Sequence, residues 1–491
     1  MLAERGLSGA TITALKSMYA KDKACVLTQD GVTELFRCTI GVKQGCPASP
    51  LLFGLYIDQL EQLLREACLP PTQQGGGGQG TATPPIDAPC ILDQLIPLLL
   101  FADDLALFSL SHAGLQAQLD ILQDFCTSRG LVVNVSKTKI MIFEHKHTDS
   151  PAFHIGGEEV ARVEAFKYLG ILFHETRGMS CAIEQLVASA RKALFAMHAD
   201  CRRLRIVDPR LRCQLFDALV RPILSYACEI WVPLGGKSAM QKLEQVHRGF
   251  LKSLLGVPQT TTSKFVYAEL ARAPLKHFCW QQCIKYLHRL HLMDDNRLLK
   301  KAFVAACSHR SLWRRGVDLR LQKLAIPPLD PHEDFDVQKI IKASNDMYSS
   351  WMMTADSDSP SQAIYFSFKR HFRMEPYIWE AKNSHLRKII ARFRTGNHWL
   401  QVNVGRYTGV AREQRFCTRC TDVVEDELHA IFDCPDFDLL RCKFSDLFSG
   451  CSDLYSFLCH SPVHRLALFL TECRAARMPH SAAIVVQTPV R

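Results

Sequence analysis

The sequence is short of long apolar runs. No stretch of about 18 residues is both apolar and uncharged. The first residues carry Glu4 and Arg5 with no hydrophobic run behind them. Both features argue against a membrane span and a signal peptide, so the expected location is intracellular, in the nucleus and/or cytoplasm. There is no convincing internal repeat. The dense cysteine framework of small secreted domains is missing too: 20 cysteines are scattered through 491 residues, which fits reduced core thiols for most of them. Nor is there a large charge of one sign. The net charge is +10, and its bearing on phosphate binding depends on where it sits.

What is present can fill sizeable cores. With 47% hydrophobic and 22% charged residues, the chain should divide into two to four domains. Residues 2–19 read as a helix, followed by polar sequence with strand-like pairs (Cys25-Val26-Leu27, Leu35-Phe36). The turn-rich run GVKQGCPASP places Ser49 as an N-cap and Pro50 at the first helical position. A helix through Leu51, Leu52, Leu55, Leu60, Leu63 and Leu64 comes next. Residues 69–90, rich in Gly, Pro, Gln and Thr, read as a flexible insertion. Then LIPLLLFADDLALFSL reads as two buried strands around a tight acidic turn. A helix over residues 114–129, a strand-like LVVNVSKTKIMIF and a hairpin-like AFKYLGILF complete an α+β unit near Phe173. Beyond it the spacing is mostly helical, with a soft joint at residues 344–362. Two basic stretches, 191–212 and 387–415, stand out, although such runs are also what solvated helix faces look like.

Two adjacent aspartates between apolar strands demand an explanation, because burying them ionised and alone costs several kcal/mol; metal binding supplies one, and an ordinary acidic hairpin turn is the alternative. Two-metal phosphoryl transfer uses metals held in this way. Neighbouring strand side chains point to opposite faces, which favours Asp103 as the principal ligand and Asp104, at the turn, as an auxiliary one. At the other end of the chain, Cys417-x2-Cys420-x8-His429-x4-Cys434 offers three thiolates and an imidazole, a set suited to closed, tetrahedral structural Zn2+. Upstream of it, Leu386, Ile389, Ile390 and Phe393 form one helical face, leaving Arg387, Lys388, Arg392 and Arg394 largely off it.

In order, GVKQGCPASPLLF, FADDLALF, GLVVNVSKTK and FKYLGILF resemble successive palm motifs of reverse transcriptases. VRPILSYACEIW and the C-terminal CCHC block narrow the resemblance to non-LTR (LINE-type) retrotransposon enzymes. It implies an RNA-directed DNA polymerase acting in target-primed reverse transcription, with Mg2+ at Asp103 and Asp104 and with RNA template, DNA primer or target and dNTP as partners. It further implies Gln44, Gly45 and Pro47 against nucleotide and template, Lys137 near the departing pyrophosphate, and Tyr168, Leu169 and Gly170 as a primer grip. Arg202, Arg203, Arg205, Arg392 and Arg394 are the expected backbone contacts. The expected organisation is partial fingers and palm over 1–175, a thumb-like region over 176–260, a helical connector over 261–380, the basic helix and CCHC unit over 381–445, and a tail over 446–491. In that family a first aspartate precedes a helix such as LAERGLSGATITALKSMY, and Asp22, Asp30 and Glu34 lie in polar surroundings instead. The expectation is that the polypeptide lacks this carboxylate, and independent polymerase activity with it. A degenerate, catalytically inactive nucleic-acid-binding remnant is the alternative. No nuclease is visible.

Overall fold

The computed structural model describes residues 3, 6–20, 22–29, 31–38, 41–43, 45–68, 86–143, 151–235, 237–356, 359–381 and 383–477. Gln44 and most of the expected insertion, residues 69–85, lie outside them. The chain divides into two compact units, Met1–Phe166 and Lys167–Arg491. It combines helices with small antiparallel sheets, each of two strands among the described residues.

In the first unit, the helices Ser49–Ala67 and His112–Arg129 pack with the hairpin Leu98–Phe101/Asp104–Leu107. Leu60, Leu64, Leu98, Leu122, Phe125 and Cys126 form their shared core. The second of these helices has clear start and stop signals. Gly114 N donates to the Ser111 side chain at 3.0 Å at one end, and Gly130 ends it at φ 65°, as N-cap and left-handed C-cap chemistry require. Its other face meets Ile140, Phe153, Ile155 and Val160, the last three from the hairpin Phe153–Ile155/Glu158–Val160. The helix Gly9–Ala20 starts later than the sequence suggested and buries no residue.

Several local expectations are corrected. Ala48, not Ser49, is the N-cap of the helix Ser49–Ala67; the Ser49 hydroxyl donates to Lys43 O at 2.6 Å instead, which closes the preceding turn. The end of the expected insertion is built into the fold. Ile86 and Ala88 are buried, and Asp87 accepts from Ser109 Oγ at 2.5 Å and from the amides of Leu110 and Ser111, both at 3.3 Å. The LVVNVSKTK run is a turn rather than a strand. Asn134 takes over its backbone bonding: Lys137 N donates to Asn134 Oδ1 at 3.1 Å and Thr138 N to Asn134 O at 3.0 Å, the local competition with sheet pairing that Asn favours.

The second unit is helical around one large core, to which residues from Ile183 to Cys473 contribute. A smaller satellite cluster surrounds Leu287 and Leu321. The stretch expected as a soft joint begins inside the helix Val337–Met353, where Ser344, Tyr348 and Met352 are buried at helical spacing. No helix among the described residues is long and apolar enough to cross a membrane.

Candidate active-site hairpin and metal centre

Strand register decides what the acidic hairpin displays. Leu98 pairs with Leu107 and Leu100 with Leu105, and this face enters the core. Pleating therefore turns Leu99, Phe101, Asp104 and Ala106 to the opposite face. Ala102 and Asp103 form the two-residue turn, with Ala102 at φ 54°.

The two aspartates are not buried between apolar strands as expected; both are exposed. A tight turn at the tip of the hairpin carries them beyond the leucine layer, so water relieves the charge and no buried counter-cation is needed. Neither carboxylate has a hydrogen bond or ion pair among the described residues. No third Asp, Glu, His or Cys joins them in a group able to hold a metal ion among those residues. As hard oxygen donors they suit Mg2+, but by themselves they are an incomplete set for a two-metal centre.

Other expected site residues of this unit are placed singly. Gly45 has φ 78° with open space where a side chain would lie, a conformation that glycine adopts freely. Pro47 and Lys137 are exposed.

The hairpin Ala165–Tyr168/Ile171–His174 has its turn in the second unit, which begins at Lys167. It turns at Leu169 and Gly170, with φ 46° and 85°, the pair of positive values typical of a tight two-residue hairpin. Sequence reasoning missed the residue that holds this turn. Tyr226 Oη donates to Leu169 O at 2.7 Å, and its ring lies where a Gly170 side chain would go, 3.1 Å from that Cβ position. Tyr226 O in turn accepts from Trp231 Nε1 at 2.8 Å. Gly170→Ala should cost about 1–2 kcal/mol through backbone strain and collision with the ring. A denaturation midpoint equal to or above that of the wild type would contradict this packing.

Among the expected phosphate contacts, Arg202, Arg203 and Arg205 are exposed at and just beyond the end of the helix Ser180–Arg203. Arg203 also pairs with Asp200 at 2.9 Å. Arg394 is corrected outright. Its side chain is fully buried, 3.0 Å from Glu269 and 2.9 Å from Glu375, while Tyr365 and Tyr377 donate to the same Glu269 carboxylate at 2.8 and 2.7 Å. Arg387 is buried as well, and the half-buried Arg392 donates to Gly256 O at 3.0 Å. The helix Ser384–Arg394 is packed on more than its apolar face, so these cations serve the interior.

The four C-terminal ligands do converge. One ligand atom each from Cys417, Cys420, His429 and Cys434 lies within 4.8 Å of every other. An antiparallel bridge between Phe416 and Val424 and a turn closed by Thr421 N to Cys417 O at 3.0 Å bring the first two together. His429–Asp433 forms one wide helical turn, closed by Cys434 N to His429 O at 2.8 Å, which returns the last cysteine to the first. Cys417 and Cys434 sulfurs are 3.8 Å apart, too far for a disulfide and close to the ~3.8 Å edge of a tetrahedron with 2.3 Å metal–sulfur bonds. His429 Nε2 is buried without a hydrogen-bond partner, as a free ligand lone pair would be. The donor set therefore fits a tetrahedral divalent metal.

Electrostatics single out Cys417. Burial opposes its ionisation, but backbone N–H groups of Cys420 and Arg419, with His429 and Arg477, outweigh burial and bring the thiol down to about 6. Burial pushes Cys434 up to about 12.

Residues 8–173 match the family described as reverse transcriptase (RNA-dependent DNA polymerase). The chain is similar to the retrovirus-related Pol polyprotein from type-2 retrotransposable element R2DM of Drosophila melanogaster, 33% identical over 238 residues, which are 46% of this chain and 20% of that protein. It is similar to the 115 kDa protein assigned to type-1 retrotransposable element R1DM of the same fly, 23% identical over 443 residues, 87% of this chain and 36% of that one. The RNA-directed DNA polymerase from mobile element jockey of Drosophila funebris is 22% identical over 321 residues, 63% and 32% respectively. The chain thus spans between a fifth and about a third of the length of these relatives.

Proposed function

We propose that this chain, whose residues 8–173 carry a reverse transcriptase domain related to those of non-LTR retrotransposon polymerases, contributes the acidic hairpin, primer support and zinc-bound region of an RNA-directed DNA polymerase. The reaction is two-metal nucleotidyl transfer, in the setting of target-primed reverse transcription. One observation carries this reading: Asp103 and Asp104 stand exposed at a tight turn with both carboxylates free of partners among the described residues. Asp103 would be the principal ligand and Asp104 the auxiliary one for Mg2+, which would supply activation of the primer 3′-hydroxyl and charge neutralisation at the departing pyrophosphate.

The protein groups position and neutralise. Gln44 and Gly45 serve nucleotide and template, Gly45 by allowing backbone to approach the nascent base pair, and Pro47 shapes the bend. Lys137 delivers a proton or a positive charge toward pyrophosphate. The turn at Tyr168, Leu169 and Gly170, held by Tyr226, supports the primer end. Arg202, Arg203 and Arg205 follow the phosphate backbone of an RNA template and DNA primer. Cys417, Cys420, His429 and Cys434 hold a structural Zn2+ with no position left open for catalysis.

A second reading is favoured by the lack of a third acidic ligand beside the hairpin among the described residues: a scaffold that binds nucleic acid without polymerising. Primer extension separates the two. The chain, tested alone and joined to any in-frame sequence preceding residue 1, should extend a DNA primer with dNTPs and Mg2+ in at least one form if it polymerises. Nucleic-acid binding without extension by either form would establish the second reading.

A further inference from the structure

The helix Val463–Arg477 reaches the metal-ligating cysteines. Arg477 is its last described residue, and the side chain is only 10% exposed. Nη2 donates to Cys417 Sγ at 2.8 Å and Nε to Glu425 Oε1 at 2.6 Å, while Nη1 pairs with Asp436. Glu425 is itself buried, and its other carboxylate oxygen accepts from Gln401 N at 2.8 Å. One guanidinium therefore ties a ligand sulfur to two carboxylates and anchors the end of a helix that packs elsewhere through Leu466, Phe469, Leu470 and Cys473.

Charge makes this contact more than packing. Three thiolates and a neutral imidazole around Zn2+ leave a net charge of −1, beside the negative charges of Glu425 and Asp436. Burying such a group without a cation is costly. Arg419 also approaches Asp436, at 3.6 Å, but its side chain is 69% exposed, so solvent weakens its contribution. Arg441, 15% exposed, donates to the carbonyl of Cys434 at 2.6 Å, whereas Arg477 is the enclosed cation that bonds a ligand sulfur, and its planar fork bonds in three directions as a lysine ammonium could not from the same place.

We infer that Arg477 is an outer-sphere positioning residue of the cysteine–histidine centre, through which metal occupancy and docking of the C-terminal helix stabilise each other. The inference rests on the reading of that centre as a zinc site. Groups bonded to metal ligands commonly set affinity by ten- to a hundredfold. Linkage requires that whatever zinc gains from the docked helix, the helix gains from zinc.

The test uses the full chain and zinc itself. Zinc affinity is measured by competition with a chromophoric chelator for the wild type, Arg477→Gln and Arg477→Lys. Hydrogen exchange over residues 463–477 is followed with and without the metal. Affinity should fall about ten- to a hundredfold in Arg477→Gln and by less in Arg477→Lys, which keeps the charge but loses the fork. Protection of the helix should drop when zinc is removed. Glu472→Gln, a change on the same helix as Arg477 that breaks its pair with Lys443 of the helix Asp438–Lys443, should leave zinc affinity unchanged, separating loss of the cation from general loosening of the helix. Wild-type affinity in both Arg477 variants, or helix protection indifferent to zinc, overturns the coupling. A wild-type chain that takes up no zinc instead overturns the reading of the metal centre itself.

Discussion

Cys434→Ser should abolish stoichiometric zinc binding and open the C-terminal region, with hydrogen-exchange protection lost over residues 415–436 and retained in the helix Ser180–Arg203. A serine hydroxyl is not an anion at neutral pH and cannot replace a thiolate on the metal. Cys434 is fully buried and part of the same core as Cys417, Ala430 and Ile431, so the vacated position cannot be hydrated without opening that core. Structural zinc sites contribute on the order of 10 kcal/mol or more of binding energy to folding. Packing around Phe437, Phe444 and Phe457 should keep the helices beyond the site folded, with protection over residues 463–477 reduced but not lost. The effect is therefore expected to be local opening rather than global unfolding. Unchanged metal content and unchanged protection would contradict the ligand assignment.

In whichever form of the polypeptide extends a primer, Asp103→Asn should lower extension at least about a thousandfold, and Asp104→Asn by a smaller factor of about ten to a hundred. The difference follows from the hairpin. Asp103 lies in the turn itself, while Asp104 is the first residue of the returning strand, paired with Phe101 on the open face. Both substitutions remove a charge from an exposed position and keep its shape, so folding should be spared, and thermal stability measured alongside would confirm that. Equal effects would contradict the division of roles, and no effect from either would remove the hairpin from catalysis.

Features set by neighbouring residues were legible in the sequence. The acidic turn, the Tyr168-Leu169-Gly170 hairpin and the four-ligand spacing each depend on a few residues whose chemistry leaves little choice of local conformation. The flanking strands at the acidic turn were legible too, but the burial of its aspartates was misjudged, because apolar strands do not reveal how far a tight turn projects beyond their core. Arg394 was misplaced for a related reason. Helical periodicity identifies the most apolar face but not the number of faces that find partners, and Glu269, 125 residues away, supplies the interior anion that draws Arg394 inward. Tyr226 and Arg477 meet their partners across 57 and 60 residues. No local pattern marks such contacts. Lys137 shows the opposite failure, since its β-branched neighbours suggested a strand while the Asn134 side chain folded the backbone into a turn.

RNA dependence of DNA synthesis tests the central claim most directly. With a DNA primer, dNTPs and Mg2+, the polymerising form of the polypeptide should make product whose sequence complements an added RNA template and whose yield vanishes when that RNA is digested. Incorporation that ignores the RNA, or none from any form of the chain while the primer–template is bound, would contradict RNA-directed polymerisation by the Asp103–Asp104 hairpin.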